Sequence, residues 1–336
     1  MTVGGPFGLS VRDHALEADI LAGLTAVEEG LLEATKSDVP FITEAAQHLV
    51  RAGGKRFRPL LVMLAAQFGD PHAPGVIPSA VVVELTHLAT LYHDDVMDEA
   101  DVRRGVPSGN ARWGNSVAVL TGDFLFSRAS HILADLGPEA VRIQAEAFER
   151  LVTGQILETA GPCEGRDPVE HYMDVLAGKT GSLVAVAGRF GALMSGADES
   201  TVNVLTQYGE RLGVAFQLAD DVLDIASDSH ESGKTPGTDL REGIATLPVL
   251  YLRAQAEASG AAGDRELCEL LAGDLTDDAR LTDVLLRLRA HPALARARED
   301  TLRYAAEARS MLAPLPPCVA KSALKGLCDA VVHRAG

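Results

Sequence analysis

A chain of 336 residues, 47% of them hydrophobic, is long enough to bury a large core. Aromatic residues make up only 4%, and Ala and Leu dominate the apolar set; that mixture favours helices, because unbranched side chains lose little rotamer freedom there. The formal charge of -17 excludes a general nucleic-acid binder, which needs a basic face. Cys163, Cys268, Cys318 and Cys328 show no CxxC spacing, so idle thiols in a reducing cytoplasm are the simplest reading. The start of the chain lacks the basic and apolar regions of a secretory signal. Its nearest approach to a membrane span, Ser182 to Gly196, is short of the required ~20 residues and contains Arg189.

Helical periodicity is nearly continuous along the chain. Residues 11–51 read as two amphipathic helices separated near Ser37-Asp38-Val39-Pro40, with Ser or Asp as N-cap of the second. Glycines interrupt the pattern at Gly53-Gly54, and a helix restarts after Pro59. An apolar helix is predicted over about 79–98, then a polar loop through Arg103, Arg104, Gly105 and Pro107, then a helix over about 116–136. Further helices are predicted over 138–160, 168–177, 180–195, 200–227 and 244–259, with several more in the last third. Alternating strand patterns are scarce. No linker or repeat divides the chain, so residues 1–336 read as one all-α domain, with the tracts near 258–264 and 313–317 as surface loops.

Two carboxylate clusters stand out. Asp94-Asp95-Val96-Met97-Asp98 ends an apolar helix, and 3.6-residue periodicity places Asp94 and Asp98 one above the other on one face. Like charges at that spacing repel, so the pair destabilises a bare helix. A hard divalent cation reverses the sign, and Mg²⁺ typically takes one or two carboxylates and completes its octahedron with water and phosphate oxygens. The pattern recurs at Asp220-Asp221-Val222-Leu223-Asp224. Alone, either cluster reads equally well as a solvated acidic helix end; two on separate helices can clamp one diphosphate between metal ions.

The cations complement them. Gly53-Gly54-Lys55-Arg56-Phe57-Arg58-Pro59 sets two glycines, which permit close backbone approach to a ligand, before three cations. Lys supplies a compact charge and Arg a planar fork for phosphate oxygens. Arg103 and Arg104 follow the first aspartate cluster. His87 lies two turns before Asp94; by itself it reads as a core histidine. No Ser-His-Asp or Cys-His set is apparent.

Taken together, these motifs resemble the trans-isoprenyl diphosphate synthases, or polyprenyl synthetase family. GGKRFRP, His87 within ELTHLATLYHDD, DDVMD, DVRRG, GDFLFSR, GKTGSL, FQLADDVLD and GKTPGTDL occur in the family's order, and the similarity runs from about residue 40 to 250. The resemblance implies a helical bundle around a deep central cavity, a homodimer, and Mg²⁺-dependent head-to-tail condensation of isopentenyl diphosphate with an allylic diphosphate. It implies that Lys55, Arg58, His87 and Arg104 hold the isopentenyl diphosphate. Asp94, Asp95 and Asp98, with Asp220, Asp221 and Asp224, would bind Mg²⁺ bridging the allylic diphosphate. Arg103, Lys179 and Lys234 would contact that diphosphate directly, and Thr180 and Gln217 would line the place where the allylic cation forms. One departure is visible: where the family often has GKxTLP, this chain has Gly243-Ile244-Ala245-Thr246-Leu247-Pro248, so a lysine that assists the diphosphate is absent.

Product length is expected to depend on the residues just before Asp94, which act as a floor for the growing tail. Ala89 and Thr90 are small, and the cluster lacks the two-residue insertion common in bacterial short-chain members. Both favour a long product of about seven to ten units, by analogy within the family. The alternative is a short-chain synthase. A terpene cyclase of the same helical class would lack Lys55, Arg58 and Arg104, and a non-catalytic partner subunit would tend to lose one aspartate cluster. The sequence shows no membrane anchor, leaving brief membrane contact at product release as the expectation.

Overall fold

The computed structural model of the chain describes residues 13–227 and 236–335. Among these, the chain is helical: α1 His14–Ala34, α2 Pro40–Arg51, α3 Phe57–Ala66, α4 Val76–Met97, α5 Gly109–Trp113, α6 Asn115–Leu136, α7 Pro138–Ala160, α8 Pro168–Leu176, α9 Ser182–Met194, α10 Glu199–Ala226, α11 Thr238–Arg241, α12 Leu247–Ser259, α13 Ala262–Leu271, α14 Asp278–Ala290, α15 Pro292–Met311 and α16 Val319–Ala335. A π turn, Ala177–Gly181, stands between α8 and α9. The all-α expectation is met, with one small addition: the polar loop after α4 is a hairpin pairing Val102 with Pro107 and Arg103 with Val106.

Local chemistry explains where several helices begin. Asp13 caps α1, its Oδ1 accepting from the N–H groups of Ala15 (2.9 Å) and Leu16 (3.1 Å). The second helix differs from expectation: Val39 is its N-cap, without a side-chain bond, and Pro40 takes the first position, where its missing N–H costs nothing. Likewise α3 starts at Phe57 rather than after Pro59, because Pro59 still falls among the first N–H groups that have no intrahelical partner.

The described residues pack as two compact units, interleaved along the chain without a linker. One comprises residues up to 149, 182–210 and 311–327; the other comprises 150–181, 211–310 and 328 onward. In the first, α4 is buried on nearly every side, from Val76 to Tyr92, and packs against α1, α3, α6 and α9. A helix apolar all round belongs in a core. The Tyr92 hydroxyl donates to the Ala45 carbonyl at 2.5 Å, tying α4 to α2 just before the first aspartate cluster. The second unit has its own core, in which Tyr172 and Leu176 of α8 and Val214, Leu218, Val222 and Ile225 of α10 meet Leu247, Leu252, Leu281 and Leu288. Among the described residues, no helix is long and apolar enough to cross a membrane.

Candidate active site

In the first unit the cations converge around one buried acid. Arg56 adopts a left-handed backbone (φ 50°) at the entry to α3, and Arg104 does the same (φ 55°) in the hairpin turn with Gly105 (φ 76°). Non-glycine residues in this region cost about 1–2 kcal/mol, so each must be held by its surroundings. They are. Arg56 Nη1 donates to Glu84 Oε1 at 3.0 Å, its Nη2 donates to Glu28 Oε2 and to the Val50 carbonyl, each at 3.0 Å, and its Nε also bonds Glu28. Arg104 Nη1 donates to the Leu49 carbonyl at 3.0 Å and to the Gly53 carbonyl, and its Nη2 lies 3.7 Å from Glu84 Oε1. Gly54 leaves room for both arginines: a Cβ on it would sit 3.0 Å from the Arg104 guanidinium and from Arg56 Nη1.

Arg58 and His87 complete the cluster. Burial lowers the Arg58 pKa to about 10, with Glu84 opposing and Arg104 reinforcing the shift. Burial pushes His87 well below its ordinary value, and the charges of Arg58, Arg104, Arg56 and Arg103 push the same way, so its imidazole is neutral. Arg58 Nε is buried and no acceptor reaches it. A cationic cluster with an unmet donor suits an anionic ligand.

The first aspartates lie at the end of α4. Asp94 is half-buried, Asp98 exposed and Asp95 fully buried. Asp95 Oδ1 accepts from Arg103 Nε at 2.5 Å, and Arg103 Nη2 lies 4.0 Å from Asp98 Oδ2. Burial raises the Asp95 pKa against the pull of Arg103. The preceding His93 turns toward α6, its Nε2 at 3.1 Å from the Val119 carbonyl and 3.5 Å from Asp123 Oδ1. Ala89 is fully buried against α6, and half-buried Thr90 turns its hydroxyl back on the His87 carbonyl at 2.8 Å. A cavity of about 270 Å³ in this unit, lined by Ile20, Gly23, Met63 and Ile77 among others, shares no residue with these groups.

In the second unit, Lys179 and Thr180 sit in the π turn, a feature that recurs at functional sites. Lys179 Nζ pairs with Glu158 Oε2 of α7 at 2.5 Å. Thr180 Oγ1 donates to Gln217 Oε1 at 3.2 Å, and Gln217 Nε2 donates to Asp221 Oδ1 at 2.9 Å. The Tyr172 hydroxyl donates to the other oxygen, Asp221 Oδ2. Burial raises the Asp221 pKa to about 6 despite these donors. Asp224 receives the backbone N–H groups of Thr238 and Asp239 at the start of α11, each at 3.2 Å. Asp220 is half-buried on the same helix. Lys234 lies outside the described residues.

Both aspartate sets offer hard oxygen donors one helical turn apart, which is donor chemistry that fits Mg²⁺. Among the described residues, no three His, Cys, Asp or Glu side chains converge as a ready-made cage. Mg²⁺ does not require one, since it keeps waters and substrate oxygens in its shell. Sequence reasoning passed over Glu84, Glu28, Glu158 and Tyr172. Glu84 had a legible signal: it is an acid in an otherwise apolar stretch of α4, one turn before His87.

Comparison with known proteins agrees across the chain. The sequence profile of the polyprenyl synthetase family matches residues 39–285. Nonaprenyl diphosphate synthase of Mycobacterium tuberculosis is 48% identical over 98% of this chain and 97% of its own. Geranylgeranyl pyrophosphate synthase of Corynebacterium glutamicum, solved with calcium and isoprenyl diphosphate, superposes with a TM-score of 0.86 at 45% identity, covering 96% of this chain and 98% of that one. Decaprenyl diphosphate synthase of Rhodobacter capsulatus gives 0.85 at 34% identity, covering 96% and 99%.

Proposed function

The chain belongs to the polyprenyl synthetase family, and on that premise we propose that it condenses isopentenyl diphosphate with an allylic diphosphate, head to tail, to make a long-chain all-trans polyprenyl diphosphate for a quinone side chain. The observation that carries this reading is the cluster of Arg56, Arg58, Arg104 and neutral His87 around buried Glu84. It offers an anion several donors in a site where charge is already partly desolvated.

Lys55, Arg58, His87 and Arg104 would bind the isopentenyl diphosphate, and Arg103, Lys179 and Lys234 the allylic one. Asp94 and Asp98, with Asp220 and Asp224, would hold Mg²⁺, while buried Asp95 fixes Arg103. When bound, the metal neutralises charge growing on the departing diphosphate. The C1–O bond of the allylic substrate breaks and its electron pair leaves with the diphosphate. Lys179 and Arg103 would stabilise that leaving group; the Gln217 amide oxygen and the Lys179 and Thr180 carbonyls would face the allylic cation. The isopentenyl double bond then attacks the cation, forming the new C–C bond, and a proton passes to the released diphosphate. No protein nucleophile takes part.

The long-chain reading is supported by the small, half-buried Thr90 and by the nonaprenyl relative. The short-chain reading draws support from the geranylgeranyl synthase at 45% identity. We place the protein in the cytoplasm as a homodimer, with transient membrane contact during product release. The test is a product assay with farnesyl diphosphate and isopentenyl diphosphate, with and without Mg²⁺. Metal-dependent products of seven or more units support the proposal; accumulation of only C15 or C20 replaces it with the short-chain reading, and diphosphate release without isopentenyl diphosphate replaces it with a cyclase.

A further inference from the structure

The second carboxylate cluster contains a residue whose surroundings differ from those of a metal donor. Asp221 is 5% exposed, and both of its oxygens are engaged inside the protein, Oδ2 by the Tyr172 hydroxyl and Oδ1 by Gln217 Nε2 at 2.9 Å. An ionised carboxylate only accepts hydrogen bonds, so it selects one of the two orientations of the Gln217 amide. With the NH₂ bound to Asp221, the carbonyl oxygen Oε1 must turn to the opposite side, where it receives the Thr180 hydroxyl at 3.2 Å. The reverse orientation would set two oxygens against each other at Asp221 and leave the NH₂ facing Thr180.

We propose that Asp221 and Tyr172 are positioning residues that fix the Gln217 amide with its carbonyl oxygen toward the reacting allylic carbon, and that Asp221 is not a metal ligand. The proposal rests on the functional reading above, in which Gln217 and Thr180 line the place where positive charge develops. There the two amide orientations are not equivalent: the oxygen end of the dipole stabilises a cation, and the NH₂ end repels it. Tyr172 is well suited to its task. It is buried in the core of this unit on α8, the helix that runs into the π turn, so one phenol donates to the carboxylate while its ring belongs to the apolar core. The far end of the chain of bonds is equally fixed. Gly154 of α7 lets the π turn lie close, since a Cβ there would come within 2.5 Å of the Lys179 backbone nitrogen. Phenol, carboxylate, amide and hydroxyl thus form one directional series, each donor and acceptor role set by its neighbour.

The test compares wild type, Asp221→Asn and Tyr172→Phe in steady-state elongation of farnesyl diphosphate. Calorimetry of Mg²⁺-dependent binding of farnesyl thiodiphosphate, an unreactive allylic analogue, is run alongside. Asparagine can present either its oxygen or its NH₂ to Gln217, so the amide is no longer locked. The expected result is a kcat loss on the order of 10²-fold in Asp221→Asn. A smaller loss in the same direction is expected in Tyr172→Phe. Both KM values, the half-saturating Mg²⁺ concentration and the affinity for the thiodiphosphate should stay at wild-type levels. A rise in the Mg²⁺ requirement with weaker analogue binding in Asp221→Asn would make Asp221 a metal ligand and overturn the proposal. Wild-type kcat in Tyr172→Phe, which leaves the volume of the site intact and so reports even if Asp221→Asn folds poorly, would also overturn it. A wild-type chain that neither binds the analogue nor elongates farnesyl diphosphate would instead overturn the functional reading itself.

Discussion

Glu84 Oε1 accepts from Arg56 Nη1 at 3.0 Å, with both side chains almost wholly buried, 2% and 5% exposed. The same oxygen lies 3.7 Å from Arg104 Nη2. One carboxylate therefore offsets two guanidinium groups that would otherwise repel each other and Arg58. Removing one partner of a buried ion pair leaves the other uncompensated, at a cost of about 3–5 kcal/mol. Glu84→Gln, which keeps the shape but not the charge, is accordingly expected to lower unfolding free energy by about that amount and to raise the KM for isopentenyl diphosphate more than that for the allylic substrate. Denaturant titration and initial-rate kinetics measure both. Wild-type stability in Glu84→Gln would show that the arginines are balanced by Glu28 alone.

Asp94 and Asp98 stand one helical turn apart at the end of α4, where like charges repel and a divalent cation reverses the sign. Asp94→Ala is expected to cut turnover on the order of 10²- to 10³-fold, as for loss of one electrostatic contact to a transition state. It should change the stability of the ligand-free fold far less than it changes turnover, as denaturant unfolding beside initial-rate kinetics would show. A large loss of activity beside a small change in stability separates a functional residue from a structural one. An active Asp94→Ala enzyme with the wild-type Mg²⁺ requirement refutes the metal assignment.

Most of the fold was legible because helical periodicity reports burial directly. The predicted 138–160 helix coincides with α7, and the 79–98 and 116–136 helices match α4 and α6 to within three residues. Two features escaped. The Val102–Pro107 hairpin has two residues per strand, too few for alternation to show, and its turn sets a left-handed arginine before Gly105, where asparagine or aspartate would have signalled it. The π turn at Ala177–Gly181 appeared only as a gap between two helices, since one inserted residue leaves no compositional mark. In the site, charged motif residues stood out, whereas their buried partners did not: nothing in the local spacing links Glu84 to Arg56, or Tyr172 to Asp221, because those contacts join residues 28 and 49 positions apart.

His87 gives the fold a pH dependence of known sign. Its folded pKa lies well below the ordinary imidazole value near 6.5, chiefly through burial and secondarily through Arg58 and Arg104. The unfolded chain therefore binds the extra proton first, and stability falls as pH drops below about 6.5, toward the folded pKa, by up to about 1.4 kcal/mol per pH unit. Above pH 6.5 the contribution is complete. Asp221, raised to about 6, acts in the opposite sense between about 4 and 6, so the clean readout is a difference. Wild type minus His87→Gln, compared by denaturant unfolding at pH 7.5 and 5.5, should show wild type losing about 1 kcal/mol more on acidification. Parallel pH profiles would mean that His87 titrates normally in the folded protein.

Ala89 and Thr90 separate two meanings of a small residue near the aspartates. Ala89 has no exposed surface, and α6 runs directly against it: a Cβ on Gly122 would lie 3.0 Å from the Ala89 carbonyl oxygen. A larger side chain at 89 meets packed helix, so Ala89→Phe is expected to destabilise the fold by about 1–3 kcal/mol through overpacking. Thr90 is half-buried, and its hydroxyl is occupied by its own helix, leaving the methyl group to face whatever lies beside α4. A growing apolar tail would pass such a surface. Thr90→Phe is therefore the substitution expected to shorten the product, with little loss of stability, and chromatography of products beside denaturant unfolding of both variants distinguishes the two effects. If Thr90→Phe makes the wild-type product distribution while Ala89→Phe shortens it in a fully stable protein, then position 89, despite its contact with α6, is where the tail stops.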